Sequence, residues 1–244
     1  MSTSTLHRLT CAGALLLAPF AASAASLSVV SVSAPDINCV FDTDCTITVT
    51  DSVGTIPVPN LTSGVARLQS RTFTGQPGSP AAGKTGYEYR VDLTTAVTDA
   101  EYSCVTDLEV DFGPVTKMHY DKVRPQDDVF VVTKGGLGKI GILFAEQTGH
   151  SILFTFSQPV CAGYTPNTGD TTFFFGLTSE FAPKAIVAHV GVPGLEPVDV
   201  KARAPDHPRR PIPPIVLPIR PLQVPDATAS TPDQPAQPPP AQPQ

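Results

Sequence analysis

Two short segments of the sequence have the spacing of nucleotide-binding loops. Residues 78–85 read Gly-Ser-Pro-Ala-Ala-Gly-Lys-Thr and match the P-loop pattern at every defined position, and residues 136–141 read Gly-Leu-Gly-Lys-Ile-Gly and match the dinucleotide fingerprint. Either loop would hold phosphates with backbone N–H groups, but only where a strand enters the loop and a helix begins after it.

Neither segment has that context. Pro80 removes one of the N–H groups that a P-loop needs, and residues 87–93, which follow, alternate like a strand. After the second motif the chain is too short for a crossover helix, and the next strand ends without an acidic residue for a ribose hydroxyl. We therefore predict two loops between strands, with no bound nucleotide and no other cofactor.

Three acidic residues form a second candidate site. Asp107, Glu109 and Asp111 occupy alternate positions, so a strand would place them on one face, about 6.7 Å apart. Such a row could bind a divalent cation or face a sugar. A solvated acidic face explains the row better. We therefore predict no metal site and keep these three residues as the candidates for one.

The remaining residues give no catalytic constellation. The sequence has no Gly-x-Ser-x-Gly elbow, and no histidine has a neighbour that suggests a triad or a zinc site. The residues favour a non-catalytic protein, and no catalytic residue is predicted. A secreted hydrolase, for example a carbohydrate-active one, that uses acidic residues is the alternative.

The N-terminus predicts export. Residues 1–24 read as a signal peptide, in which Arg8 precedes a short apolar run and Ala22-Ser23-Ala24 has the small-x-small pattern of a cleavage site. The apolar run is shorter than the roughly 20 residues that span a bilayer. We expect a secreted or periplasmic protein that does not span the membrane after cleavage.

Cleavage leaves four cysteines: Cys39, Cys45, Cys104 and Cys161. An even number in an exported chain indicates two disulfides, because the compartment is oxidising. Four cysteines allow three pairings. We favour Cys39–Cys45, which would close a short acidic loop, and Cys104–Cys161, which would join two distant strands.

The elements that would position these residues are strands. In residues 87–93 every odd position is apolar and every even one is charged, which predicts one face in the core and one in water. Turn residues separate such runs every 10 to 20 positions. Residues 25–195 therefore predict an all-β domain, an antiparallel two-sheet sandwich of about nine strands, with a helical turn only near 95–100.

Residues 196–244 predict a disordered or polyproline tail. Of 27 prolines, 16 lie at position 193 or later, and proline cannot donate to a β-ladder. A solvated spacer is the simplest interpretation, and docking to a partner is the other. The docking candidates are Pro211, Ile212, Pro214, Leu217 and Arg220.

Composition excludes two classes of protein. A formal charge of −6 argues against a nucleic-acid binder, and 41% hydrophobic residues argue against a chain that is disordered throughout.

Five blocks of sequence resemble an uncharacterised family of exported bacterial β-rich proteins. The blocks are residues 83–93 (GKTGYEYRVDL), 110–115 (VDFGPV), 129–141 (VFVVTKGGLGKIG), 159–163 (PVCAG) and 172–177 (TFFFGL). The resemblance covers about residues 35–190 and implies a bacterial source and export, but no known activity.

The sequence as a whole predicts an exported, non-catalytic binding or structural module of the bacterial cell envelope, held on a proline-rich spacer. Its partner would be an envelope protein or a glycan that the sequence does not identify. A further alternative is a periplasmic protein whose tail docks the partner.

Overall fold

A computed structural model describes residues 23–100, 103–121 and 125–208, which form a mostly β protein, as the sequence predicts. Most of the predicted signal peptide lies outside the described residues. So do the docking candidates Pro211, Ile212, Pro214, Leu217 and Arg220.

The described residues contain fourteen strands and one α-helix. In chain order they are β1 (Ala25–Leu27), β2 (Val29–Ser33), α1 (Ala34–Phe41), β3 (Thr50–Ile56), β4 (Leu61–Ser63), β5 (Ala66–Thr74), β6 (Thr85–Asp92), β7 (Val97–Thr98), β8 (Cys104–Asp111), β9 (Val129–Lys134), β10 (Ile142–Thr148), β11 (Ser151–Cys161), β12 (Phe175–Ser179), β13 (Pro183–Gly191) and β14 (Val198–Pro205). The sequence predicted about nine strands. Strands of two or three residues, such as β1, β4 and β7, are too short to show a period of two.

Twelve of these strands form two sheets that pack together. Sheet I has the order β1-β10-β11-β8-β13-β14, and sheet II has the order β2-β9-β12-β6-β5-β3, while β4 and β7 pair separately. The neighbours are antiparallel except β2 and β9, which run parallel. The expectation of a purely antiparallel fold is wrong at this pair. Only Ser28 separates β1 from β2, so the chain passes from sheet I to sheet II without reversing.

The main core lies between the sheets and uses the apolar positions that the sequence alternation indicates. Tyr89 and Val91 of β6 are fully buried, as is Leu108 of β8. The rings of Phe154 and Phe175, one from each sheet, are 5.0 Å apart. Each large apolar side chain buried in this way contributes about 1.5–3 kcal/mol.

Strand β14 lies where the sequence analysis placed the start of the tail. It pairs with β13 along its whole length, from Val198 opposite Val190 to Pro205 opposite Pro183. Its only proline is the last residue, so its ladder N–H groups are intact, and its alternate residues Val200 and Ala202 are buried. The boundary at 196 is therefore too early, and the described body continues to residue 208.

Helix α1 was not predicted. The sequence suggested a helical turn near 95–100, where the structure has β7 instead. The helix begins after Ser33, whose hydroxyl accepts a hydrogen bond from the Asp36 N–H at 3.3 Å and donates to the Asp36 carboxylate at 2.6 Å. Pro35 lies in the first turn, where its missing N–H costs nothing.

Candidate functional site

The charged side chains of β6 do not face water. Glu88 is 5% exposed, and the side chains of Arg90 and Asp92 are 14% and 18% exposed. The expectation that this face of the strand would be solvated is wrong, because α1 and an apolar cluster cover the outer face of sheet II.

The apolar cluster joins α1 to sheet II. Its buried members are Val32, Ile37, Val40, Phe41, Phe73, Ala81, Met118, Tyr120, Phe130, Val132 and Phe174. Gly176 of β12 pairs with Glu88 on one side and with Phe130 on the other. The Phe130 ring lies over Gly176, where a Cβ would be only 2.5 Å from the ring, so a glycine is needed there. The cluster therefore packs directly beside Glu88.

A groove of about 390 Å³ remains open between α1 and sheet II, and we call it the α1 groove. Three segments border it: the first half of α1, the chain just before β3, and the loop after β9. Its lining residues are Ala34, Ile37, Asn38, Ile47, Val49, Arg71, Glu88, Val132, Gly135, Gly136, Leu137 and Phe174.

One disulfide holds two of these borders together. Cys39 lies in α1 and is bonded to Cys45, which precedes the groove residues Ile47 and Val49. The second disulfide joins Cys104 of β8 to Cys161 of β11, at directly paired positions in sheet I. The two favoured pairings are thus confirmed, and the shorter one shapes the α1 groove.

Glu88 is the chemically distinctive residue of the groove. In the described part of the chain, no hydrogen-bond donor and no cationic nitrogen lies within bonding distance of its carboxyl group. Burial raises the pKa of Glu88 to about 7, although the nearby Arg71 opposes the shift and Asp51 adds to it. This carboxyl group therefore gains or loses a proton near neutral pH, and it can donate or accept a hydrogen bond there.

Arg71 is the cross-strand neighbour of Glu88 but is engaged elsewhere. Its Nε donates to Asp51 Oδ1 at 2.9 Å, and its guanidinium carbon lies 4.1 Å from the centroid of the Phe174 ring. The hydrogen bond and the cation–π contact fix the guanidinium over the groove floor.

The acidic row that the sequence singled out lies on the outer face of sheet I. Each carboxylate has its own partner: Thr106 donates to Asp107 at 2.7 Å, Ser151 donates to Glu109, and His207 Nε2 lies 3.2 Å from Asp111. Among residues 23–100, 103–121 and 125–208, no group of three His, Cys, Asp or Glu side chains has the arrangement of a metal site.

His207 anchors the end of the body to sheet I. Its side chain is 1% exposed, and its ring stacks on that of His150 with centroids 4.7 Å apart. A Cβ at Gly113 would lie 2.4 Å from the His207 ring, and Gly113 adopts φ +77°, so a glycine is required at that contact. This histidine pair packs the chain that follows β14 against β8.

Both segments with nucleotide-binding spacing are loops between strands, as predicted. Residues 78–85 connect β5 to β6, residues 136–141 connect β9 to β10, and no helix follows either one. Both loops contact the covered face of sheet II instead. The Ala81 N–H donates to the Val40 carbonyl of α1 at 2.9 Å, and Leu137 borders the groove.

Sequence reasoning missed Glu88, Arg71 and Asn38 as site residues. No sequence motif surrounds these residues in their strands or in the helix. The available signal was indirect: Ser33, Pro35 and Asp36 mark a helix start just before an apolar run.

No protein-family model matches the chain, and neither a curated protein nor a solved structure gives a match. Within the described residues, no helix is long and apolar enough to cross a membrane.

Proposed function

We propose that the protein is an exported, non-catalytic binding module of the bacterial cell envelope, a β-sandwich on a proline-rich spacer, and that the α1 groove is its binding site. One observation carries this proposal: a largely apolar groove of about 390 Å³ has a buried carboxyl group without a partner on its floor. Sites for small ligands have this character, with apolar walls, few polar groups and volumes of roughly 300–1,000 Å³.

Three features support an exported sandwich. Two disulfides are compatible with an oxidising compartment. The leader sequence has the pattern of a signal peptide. Two six-stranded sheets share one core, which is how a sandwich buries its inner faces.

The groove chemistry favours binding over hydrolysis. Glycosidases generally place two carboxyl groups about 5–9.5 Å apart across the scissile bond. Glu88 is the one carboxylic acid among the residues that line the α1 groove. Asp51, the nearest other acid that affects it, is paired with Arg71. The hydrolase alternative therefore has no specific observation in its favour.

The first experiment tests export and binding in the native host. The protein should be recovered from the envelope or the medium with its N-terminus cleaved after Ala24, and native mass spectrometry should show a bound species. Leu137→Lys places a positive charge at the groove border, and Leu195→Lys is the matched control, because both leucines are more than half exposed and Leu195 lies between β13 and β14.

Loss of the bound species in Leu137→Lys but not in Leu195→Lys is the expected result. Retention in both variants, or no bound species in the wild type, would contradict the proposal, and an uncleaved chain in the cytosol would contradict export. Truncation after Pro208 tests the tail alternative and leaves β14 and His207 in place. Loss of the bound species on truncation would favour the tail.

A further inference from the structure

We propose that the α1 groove binds a small molecule with a primary ammonium group on an apolar chain, the ammonium on Glu88 and the chain along the apolar walls. This inference rests on the proposed function and specifies its ligand class.

The carboxyl group of Glu88 provides the first argument. The Glu88 residue is 95% buried and lines the groove, and its carboxyl group has no hydrogen-bond or ion-pair partner among the described residues. A carboxylate removed from water is stable only when a cation or hydrogen-bond donors replace its hydration shell. A ligand that enters the groove with such a group would supply what the protein does not.

Arg71 is not bonded to Glu88 and so does not act as its cationic partner. Its guanidinium is held by Asp51 and by the Phe174 ring, at 2.9 Å and 4.1 Å. No cationic group of the described residues is bonded to Glu88, so a ligand can supply one. An ammonium group is compact and has three donors, so it can enter the groove that Glu88 and Asn38 both line.

The groove suits an anionic ligand less well than a cationic one, although the Arg71 guanidinium is among its lining groups. An anionic ligand would approach the Glu88 carboxylate, and two of the first residues of α1 offer it no free N–H group. The Asp36 N–H is bonded to Ser33, and Pro35 has none. The rest of the lining consists largely of apolar groups, from Ala34 of α1 to Leu137 of the loop after β9, which suit a hydrocarbon chain.

Binding should depend on pH through Glu88. The charged groups on this face are Arg71 of β5, Asp51 of β3 and, on β6 itself, Arg90, which is paired with Asp92 and also lies over the Phe174 ring. Helix α1 presents the neutral Asn38 to the groove, and the lining residues before β3 and after β9 are not ionisable. Since burial raises the pKa of Glu88 to about 7, the affinity for an ammonium should rise about tenfold between pH 6 and pH 8.

The test uses the mature full-length protein and three probes with the same chain: hexylammonium chloride, hexanol and sodium hexanoate. Binding is measured by amide chemical-shift titration at pH 6 and pH 8. At pH 8 we expect hexylammonium to bind at least tenfold more tightly than hexanol or hexanoate, and to shift amides of α1 and the loop after β9.

Variants distinguish the contribution of the Glu88 carboxyl group to binding from that of the apolar groove walls. Glu88→Gln should lose at least tenfold in hexylammonium affinity at pH 8 and keep its hexanol affinity, which also shows that it is folded. Glu109→Gln, on sheet I and bonded to Ser151, is the matched control and should bind as the wild type does. Leu137→Ala should weaken hexylammonium and hexanol equally, because it removes contact with the chain.

Equal or tighter binding of hexanol or hexanoate would overturn the inference. So would wild-type hexylammonium affinity in Glu88→Gln, or no saturable binding of hexylammonium. If hexylammonium does not bind while Leu137→Lys still abolishes binding of the native species, the groove is the site and the ligand class is wrong. If hexylammonium binds through Glu88 but Leu137→Lys still binds the native species, the ligand class stands and the proposed function fails.

Discussion

The outer faces of the two sheets carry the same sequence pattern but provide opposite environments for their acids. On sheet I, strand β8 presents Asp107, Glu109 and Asp111, and each has a hydroxyl or imidazole partner at a partly exposed surface. On sheet II, strand β6 presents Glu88 beneath α1, with no partner among the described residues.

The difference comes from what covers each strand. Alternation of charged and apolar residues decides which side chains share a face, but a helix placed on the polar face changes what those side chains meet. On sheet II, an eight-residue helix and one disulfide turn a charged strand face into the floor of a groove. The acids on the open face are satisfied locally, whereas Glu88 beneath α1 has no partner among the described residues.

The largest expected effect is that of Phe174→Ala, which tests whether the outer face of sheet II, beneath α1, is packed as a hydrophobic core. Phe174→Ala removes a buried ring that packs under α1 and carries two arginine contacts, so the free energy of unfolding should fall by about 3–5 kcal/mol. Val187→Ala, at a half-exposed position on sheet I, should cost less than about 1 kcal/mol. Urea denaturation of both variants measures the difference, and equal losses would show that the two faces do not differ.

The second prediction concerns pH and Glu88. Folding raises the pKa of Glu88 from its ordinary value of 4.5 to about 7. The contribution of Glu88 to stability is therefore fully present at pH values below 4.5 and is lost as the pH rises to about 7. Glu88→Gln is neutral throughout, so at pH 8 it should be more stable than the wild type by about 3 kcal/mol, with no such gain at pH 4.

Denaturation of wild type and Glu88→Gln at pH 4, 6 and 8 gives this difference directly. Glu109→Gln on sheet I serves as the comparison and should change stability by less than about 1 kcal/mol at pH 8. A Glu88→Gln variant that is less stable than the wild type at pH 8 would mean that the Glu88 carboxylate is well partnered.

The third prediction compares the two disulfides. Cys39→Ala with Cys45→Ala should cost about 2 kcal/mol and should lower the pKa of Glu88 toward its ordinary value, because the groove border is released and burial decreases. Cys104→Ala with Cys161→Ala should cost about 4 kcal/mol and leave the pKa of Glu88 near 7. Thermal denaturation measures the stability and carboxyl titration measures the pKa. If the pKa of Glu88 shifted only in the Cys104→Ala, Cys161→Ala variant, the Cys39–Cys45 disulfide would not be what keeps Glu88 buried.

The smallest effect is expected on sheet I. Ser151→Ala removes the hydroxyl that donates to Glu109 at a partly exposed position, and water can replace it. The free energy of unfolding should fall by at most about 1 kcal/mol. A loss above 2 kcal/mol would show that the acidic row is a tightly coupled network.

Much of the fold follows from local pattern. The alternation in β6 and β8 identifies the residues that reach the shared core, such as Tyr89 and Leu108, and the turn residues mark both apparent nucleotide motifs as loops. The cysteine count and spacing led to the two pairings that the structure confirms.

The groove could not be predicted in the same way. Helix α1 has eight residues, too few to be stable or strongly periodic alone, and it forms because Ile37, Val40 and Phe41 pack on sheet II. That contact joins residues far apart in the chain. The same is true of Glu88, whose burial depends on α1, on the chain before β3 and on the loop after β9 rather than on its own strand.

The most direct measurement is the titration of the Glu88 carboxyl carbon by NMR in the mature protein labelled with ¹³C-glutamate. Its resonance is assigned by its loss in Glu88→Gln. A buried acid without a partner predicts a midpoint near pH 7. A midpoint near the ordinary value of 4.5 would contradict the difference between the two faces, because it would mean that the Glu88 carboxylate is solvated or paired like the acids of sheet I.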